Sequence, residues 1–191
     1  MNVLLLGPQG AGKGTQGKLL SAEYGVPHIA TGDMLRAAIA DGTELGRKAE
    51  PLLNAGKLVP DEIMIGLIRE RLGQEDTYGG FVLDGFPRTT VQAEALDANL
   101  EEIERPLSVV FEFQLPEEVC VERLRRRAEE EGRVDDTPDA IRTRLRLYHE
   151  QTEPLVEYYR VRGSLVGVPA DRPVQEVFAE IQRALEQVAV R

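Results

Sequence analysis

Short apolar runs alternate with segments of helical period along the chain. Residues 3–6, 27–30, 81–84, 107–115 and 165–168 have the length and near-continuous apolar character of strands covered on both faces. Helical spacing predicts helices near 16–23, 33–40, 61–72, 89–99, 117–130, 138–160 and 174–190. In the last of these Val174, Val177, Phe178, Ile181, Leu185 and Val188 share one stripe. Asp61 is placed to cap the helix that follows it, and Pro138 stands where a first turn tolerates proline. This alternation predicts an α/β fold: a parallel sheet, helices on both faces, and a ligand at the carboxyl ends of the strands. Two stretches break the rhythm. Residues 31–60 carry more polar and glycine breaks than one crossover needs, at Thr31-Gly32-Asp33, Asp41-Gly42-Thr43 and Asn54-Ala55-Gly56. Residues 128–138 are charged and include Gly132. Both are expected to be mobile flaps.

The chemistry begins directly after the first apolar run, with Gly7-Pro8-Gln9-Gly10-Ala11-Gly12-Lys13-Gly14-Thr15. A strand here delivers the chain to a loop whose glycines let successive backbone N–H groups turn inward around an anion. The helix that follows aims its positive end at the same point, and Lys13 adds a cation for the outer phosphates. Gly14 stands where the usual pattern has Ser or Thr, and Thr15 comes next. The reading is a nucleoside triphosphate site. The run Phe81-Val82-Leu83-Asp84-Gly85-Phe86-Pro87-Arg88 is a strand ending in the acid that, in such proteins, orients magnesium. Arg88 lies within reach of a phosphate at the same edge. Thr31-Gly32-Asp33-Met34-Leu35-Arg36 places another arginine at the end of the second strand.

Composition narrows the rest. At 191 residues and 42% hydrophobic content the chain fits one ordinary domain. No apolar run approaches the roughly 20 residues of a membrane span. No basic leader precedes the first strand, so a secretory signal is not expected and the cytoplasm is. The single cysteine, Cys120, excludes an internal disulfide. A formal net charge of −10 argues against a nucleic-acid or membrane surface. Yet 19 of the 23 basic residues are arginine, and eight of those lie between Arg123 and Arg146. That density suggests a small anion enclosed locally, since arginine holds phosphate bidentately. Charge alone would leave about half of the eight on solvated helix faces.

Taken together these segments resemble an adenylate kinase of the short-lid type over essentially the whole length. The resemblance is carried by residues 7–15, 31–36, Lys57-Leu58-Val59, 84–88 with Gln92, Gly132-Arg133-Val134-Asp135-Asp136, and Arg144. It implies a three-layer P-loop fold with a five-stranded parallel sheet. The core would be 1–30, 60–123 and 138–191, the AMP-binding segment 31–59 and the short lid 124–137. It implies ATP at Gly10, Ala11, Gly12, Lys13, Gly14 and Thr15, with Arg127 on the ATP side, Arg123 against the adenine and Arg172 near the base. It implies AMP at Thr31, Arg36, Lys57, Leu58, Val59, Gly85, Phe86, Pro87, Arg88 and Gln92. Arg133 and Arg144 would bracket the transferring phosphoryl group and the AMP phosphate. Lys13, Arg88, Arg127, Arg133 and Arg144 would carry catalysis, with magnesium held through water by Thr15 and Asp84. Short-lid members are usually monomers. Longer lids in this family hold zinc; segment 124–137 has neither Cys nor His, so no zinc is expected.

The remaining residues read as structural. His28 and His149 fall in that class, with Tyr148, Tyr158 and Tyr159 as packing and Arg125, Arg126, Arg142 and Arg146 as solvent-facing. A UMP/CMP kinase shares most of these motifs, and Thr31, Gln92 and Val134 after Arg133 favour AMP over it. A GTPase-like module would need an Asn-Lys-x-Asp segment, which the sequence lacks. A motor ATPase would usually carry an acid after Asp84, where Gly85 stands.

Overall fold

β1 (Asn2–Leu6) runs through the middle of the molecule and is buried along its whole length. A computed structural model describes residues 1–133 and 135–189. Around β1 lie β2 (His28–Ala30), β3 (Phe81–Asp84), β4 (Val109–Gln114) and β5 (Leu165–Pro169), all parallel, in the order β2-β3-β1-β4-β5. The alternation of a pleated strand then sorts the apolar residues. Leu4 and Leu6 face one side with Ile29, Leu83 and Val110; Val3 and Leu5 face the other with Val82, Phe111 and Phe113.

The helices cover both faces. On the Leu4 side pack α4 (Asp61–Leu72), α5 (Thr90–Glu102) and α8 (Pro154–Arg160), through Leu72, Leu96 and Leu155. On the Val3 side pack α1 (Lys13–Tyr24) and α9 (Val174–Ala189), through Leu20, Val177 and Ile181. α6 (Glu117–Glu131) and α7 (Pro138–Leu147) share a smaller cluster of Cys120, Leu124, Ile141 and Leu145. α2 (Thr31–Ala40) and α3 (Glu44–Asn54) form a helical hairpin beyond the end of β2. The chain leaves β1 toward β2 and later returns to fill both sides of β1. The loops after β1 and β3 therefore emerge side by side at the carboxyl edge, where a crevice opens.

Three local expectations need correction. Segment 44–54 is a helix and not a broken stretch. Thr43 caps it by accepting from the Gly46 N–H at 3.0 Å, and Gly46 lets α3 approach so closely that a Cβ there would overlap the Ala38 carbonyl. The span 138–160 is not one helix: a π-helical turn at Tyr148–Thr152 and Pro154 at the start of α8 divide it. Asp61 caps nothing, since Pro60 is the N-cap of α4; its carboxylate instead accepts from Thr89 and Gln92. Two helices also start earlier than the apolar spacing suggests, α1 at Lys13 and α2 at Thr31. Among the described residues no helix is long and apolar enough to cross a membrane.

Candidate active site

The loop between β1 and α1 is shaped by glycine. Gly10 and Gly12 have φ of 84° and 90°, in the left-handed region that L side chains avoid. A Cβ on Gly10 would also come within 2.6 Å of the Cys120 carbonyl oxygen, so α6 holds this loop from behind. Gly12 is the N-cap of α1, whose first amides face the crevice. The ammonium of Lys13 folds over the loop and donates to the Gly7 and Pro8 carbonyls at 2.7 Å each. Burial pulls its pKa down to about 8, with Arg88 and Arg127 adding like-charge repulsion and Asp84 opposing.

Asp84 ends β3 beside Leu5, and its carboxylate lies 3.7 Å from His28 Nε2. Burial pushes this carboxyl up, but His28, Lys13 and Arg88 outweigh it and hold it below the usual range. The chain then turns at Gly85, whose φ of 84° and contact with Thr31 leave no room for a Cβ. Arg88 follows, its Nε donating to the Gly85 carbonyl at 2.8 Å while the Thr152 hydroxyl donates to the Arg88 carbonyl at 2.9 Å. Burial lowers the Arg88 pKa; Asp84 opposes that, and Arg144 and Arg36 add to it. Arg144 and Arg36 thus bring two further guanidinium groups close enough to Arg88 to concentrate positive charge at this edge.

Arg127 on α6 and Arg144 on α7 are held by two adjacent carboxylates. Arg127 makes a two-pronged contact with Asp136, at 2.8 and 3.0 Å. Arg144 bridges to Asp136 and to Asp135, the latter at 2.7 Å, and donates to the Leu53 carbonyl at 3.3 Å. Asp135 also lies 3.6 Å from Arg36 and so links the segment before α7 to the α2–α3 hairpin. Arg133 pairs with Glu131 at 2.7 Å. Arg123 donates to the Ala170 carbonyl at 3.1 Å.

A cleft of about 440 Å³ collects these groups. Its wall includes residues 10–15, Thr31, Arg36, Lys57, Leu58, Val59, Asp84, Gly85, Pro87, Arg88, Gln92, Arg123, Arg127, Arg133 and Arg144. Two expected site residues lie elsewhere. Phe86 is only 2% exposed and packs into the core on the Leu4 side of the sheet. The Arg172 guanidinium is anchored on the Pro169 carbonyl and Glu180 and does not line the cleft. Val134, expected to help choose AMP, lies outside the described residues. Tyr148, expected to be packing, is part of the cleft wall, whereas Tyr159 is core and Tyr158 donates to Asp97 at 2.8 Å. Arg125, Arg142 and Arg146 face solvent; Arg126 does too but stands on the cleft rim. His28 packs against Gly17, beneath the cleft, and exposed His149 lies between Glu117 and Glu153.

Sequence reasoning gave no site role to Asp135, Asp136 or Thr152, and made Asp61 only a helix cap. The adjacent acids next to Arg133, in a segment this rich in arginine, were the available signal for the first two. Asp61 and Thr152 gave none, because their partners are distant in the chain.

The family model described as Adenylate kinase matches residues 5–164. A protein named adenylate kinase from Archaeoglobus fulgidus is 44% identical, over 98% of this chain and 99% of its own. One from Stenotrophomonas maltophilia (strain K279a) is 47% identical over 97% of this chain and 100% of its own. One from Caulobacter vibrioides (strain NA1000 / CB15N) is 48% identical over 99% of each.

Proposed function

This chain belongs to the adenylate kinase family, and on that premise we propose how its cleft divides the reversible transfer of the terminal phosphoryl group of ATP to AMP. The observation that carries the reading is the convergence on one cleft of a glycine-shaped amide loop with cationic side chains from the lid, the α2–α3 hairpin and the β3 edge. ATP phosphates lie in the loop of residues 10–15 under Lys13. AMP lies against Thr31, Arg36, residues 57–59, Gly85, Pro87, Arg88 and Gln92. Arg123 and Arg127 serve the ATP side, with Arg172 in contact through its backbone. Arg88, Arg133 and Arg144 surround the phosphoryl group in flight.

In the forward direction an AMP phosphate oxygen attacks the γ-phosphorus of ATP, the bond to the β-bridging oxygen breaks, and two ADP result. The nucleophile is already anionic, so no general base is needed; positioning and charge neutralisation supply the rate. Each guanidinium stabilises charge most where it accumulates, on the equatorial oxygens of the transition state. The Asp84 carboxylate, buried yet held ionised beside the loop, fits a hard divalent cation. Magnesium bound there, through water and with Thr15, would neutralise charge between the outer phosphates. Closure of segments 31–59 and 124–137 excludes water that would otherwise hydrolyse ATP, and adenylate kinase lids are themselves a standing example of such closure. The Arg36–Asp135 approach at 3.6 Å supports that these two segments meet. We take the working form to be a cytoplasmic monomer; sedimentation at assay concentration tests the oligomeric state.

Mixing the protein with ATP, magnesium and AMP and separating the products is the direct test, with ADP as the expected product. A faster rate with CMP than with AMP would favour a UMP/CMP kinase instead. Two adenosines joined through five phosphates should bind tightly; weak binding would overturn the tail-to-tail arrangement.

A further inference from the structure

Gln92 is 2% exposed, and both ends of its amide are engaged. Its Nε2 donates to Asp61 Oδ1 at 2.7 Å, and its Oε1 accepts the Arg88 backbone N–H at 2.8 Å. Asp61 Oδ1 also accepts the Thr89 hydroxyl at 3.1 Å, and that hydroxyl accepts the Gln92 backbone N–H at 3.2 Å. One network therefore joins the first turn of α4 to the start of α5 beneath the cleft. Asp61 itself does not line the cleft, whereas Gln92 does.

The chemistry of the partners sets the amide's orientation. A carboxylate only accepts, and a backbone N–H only donates. Turned by 180°, the amide would set its NH2 against the Arg88 N–H and its oxygen against the Asp61 carboxylate. Both contacts are repulsive, and both ends would lose a buried hydrogen bond. In the observed orientation one N–H and one lone pair of the amide remain for a ligand. Adenine offers a matching edge, an exocyclic N–H donor beside a ring-nitrogen acceptor. A 6-oxo purine offers the reverse, a carbonyl acceptor beside a ring N–H donor, and would need the turned amide.

We infer that Asp61 is a specificity-determining positioning residue: by pinning the Gln92 amide it makes the cleft accept a 6-amino purine monophosphate and reject a 6-oxo one. This rests on the reading of Gln92 as the group that meets the AMP base. The test compares kcat/KM for AMP and IMP, with ATP as donor, in the parent protein, Asp61→Asn, Asp61→Ala and Gln92→Ala. Asn keeps the size, but its amide can either accept from Gln92 Nε2 as Asp61 does or, turned, donate to the oxygen of a turned Gln92. It therefore no longer rejects the turned amide, and one of the two locks is released. The AMP-to-IMP ratio should fall about tenfold in Asp61→Asn and further in Asp61→Ala, with KM for ATP within about twofold of the parent. A merely structural role would raise KM for AMP and IMP together and leave their ratio alone. If Asp61→Ala does not fold, the near-isosteric Asp61→Asn decides. A ratio within about twofold of the parent in the folded Asp61 variants, while Gln92→Ala lowers it, overturns the role of Asp61 alone. An unchanged ratio in Gln92→Ala overturns the base-reading role of Gln92 itself.

Discussion

Arg144 and Arg146 stand two residues apart on α7 and meet opposite surroundings. The Arg144 side chain is 10% exposed and bound to two carboxylates whose side chains are 8% and 0% exposed. The Arg146 side chain is 61% exposed and pairs with Glu150 at 3.0 Å, one turn along the helix surface. Both are arginine–carboxylate pairs, yet they differ in kind. Water and salt screen the surface pair, which contributes little to stability. The buried carboxylates lose hydration that the arginines only partly restore, so their presence is weak evidence for stability as such. What they supply is location. Asp136 alone gathers Arg127 from α6 and Arg144 from α7, and Asp135 draws in Arg36 from α2. On the proposed assignment of these arginines to the phosphates, the charges are held in place before a phosphoryl group arrives, the arrangement that electrostatic catalysis requires.

The contrast fails if matched substitutions behave alike. Asp136→Ala leaves two arginines without their buried counter-charge and should cost about 3–5 kcal/mol in urea unfolding. Asp139→Ala, which removes a carboxylate 86% exposed beside Arg142, should cost under about 1 kcal/mol. Arg144→Ala should lower kcat/KM by about 10²–10³-fold, the usual effect of losing one donor to transition-state charge. Arg146→Ala should stay within about twofold of the parent in the same coupled assay. Equal losses would remove the distinction.

A pH profile sharpens it further. Lys13 is charged below about pH 8 and neutral above, so kcat/KM for ATP should fall on an alkaline limb centred there. Bound phosphates favour the ammonium, so at saturating ATP the kcat limb should move to higher pH. A limb that stays fixed, or none below pH 10, would deny Lys13 its place against the phosphates. The smallest effect belongs to the surface: Glu150→Ala should change stability by less than about 0.5 kcal/mol and lose even that in strong salt.

Legibility in the sequence followed the range over which each signal acts. β1 and β3 were readable because parallel strands covered on both faces form short apolar runs bounded by turns. The phosphate loop was readable because its glycines, Lys13 and the flanking elements are contiguous. α3 was not: the breaks at 41–43 and 54–56 drew attention away from the helix between them, in which Gly46 is the point where α3 touches the Ala38 backbone. The division of 138–160 was only half hidden, since Pro154 is a visible signal for a new helix start. Nothing at Tyr148 signals a widened turn, although the Glu153 N–H reaches the Tyr148 carbonyl at 2.8 Å. In the site, the eight arginines of 123–146 divided much as charge reasoning allowed, and two of those turned inward, Arg127 and Arg144, are held there by Asp135 and Asp136. Phe86 is the reverse case, since its neighbours Gly85 and Pro87 line the cleft while its ring belongs to the core. Adjacency in sequence says little about facing.

The central place of β1 also bears on how the chain is made. It leaves the ribosome before β3 and β4, the strands that bond to its two sides. Until both follow, a strand apolar from Val3 to Leu6 has two open edges, the state in which nascent chains stick to one another. Synthesis that stalls before residue 109 therefore yields a fragment whose hydrophobic spine cannot be completed, a natural client for a holding chaperone.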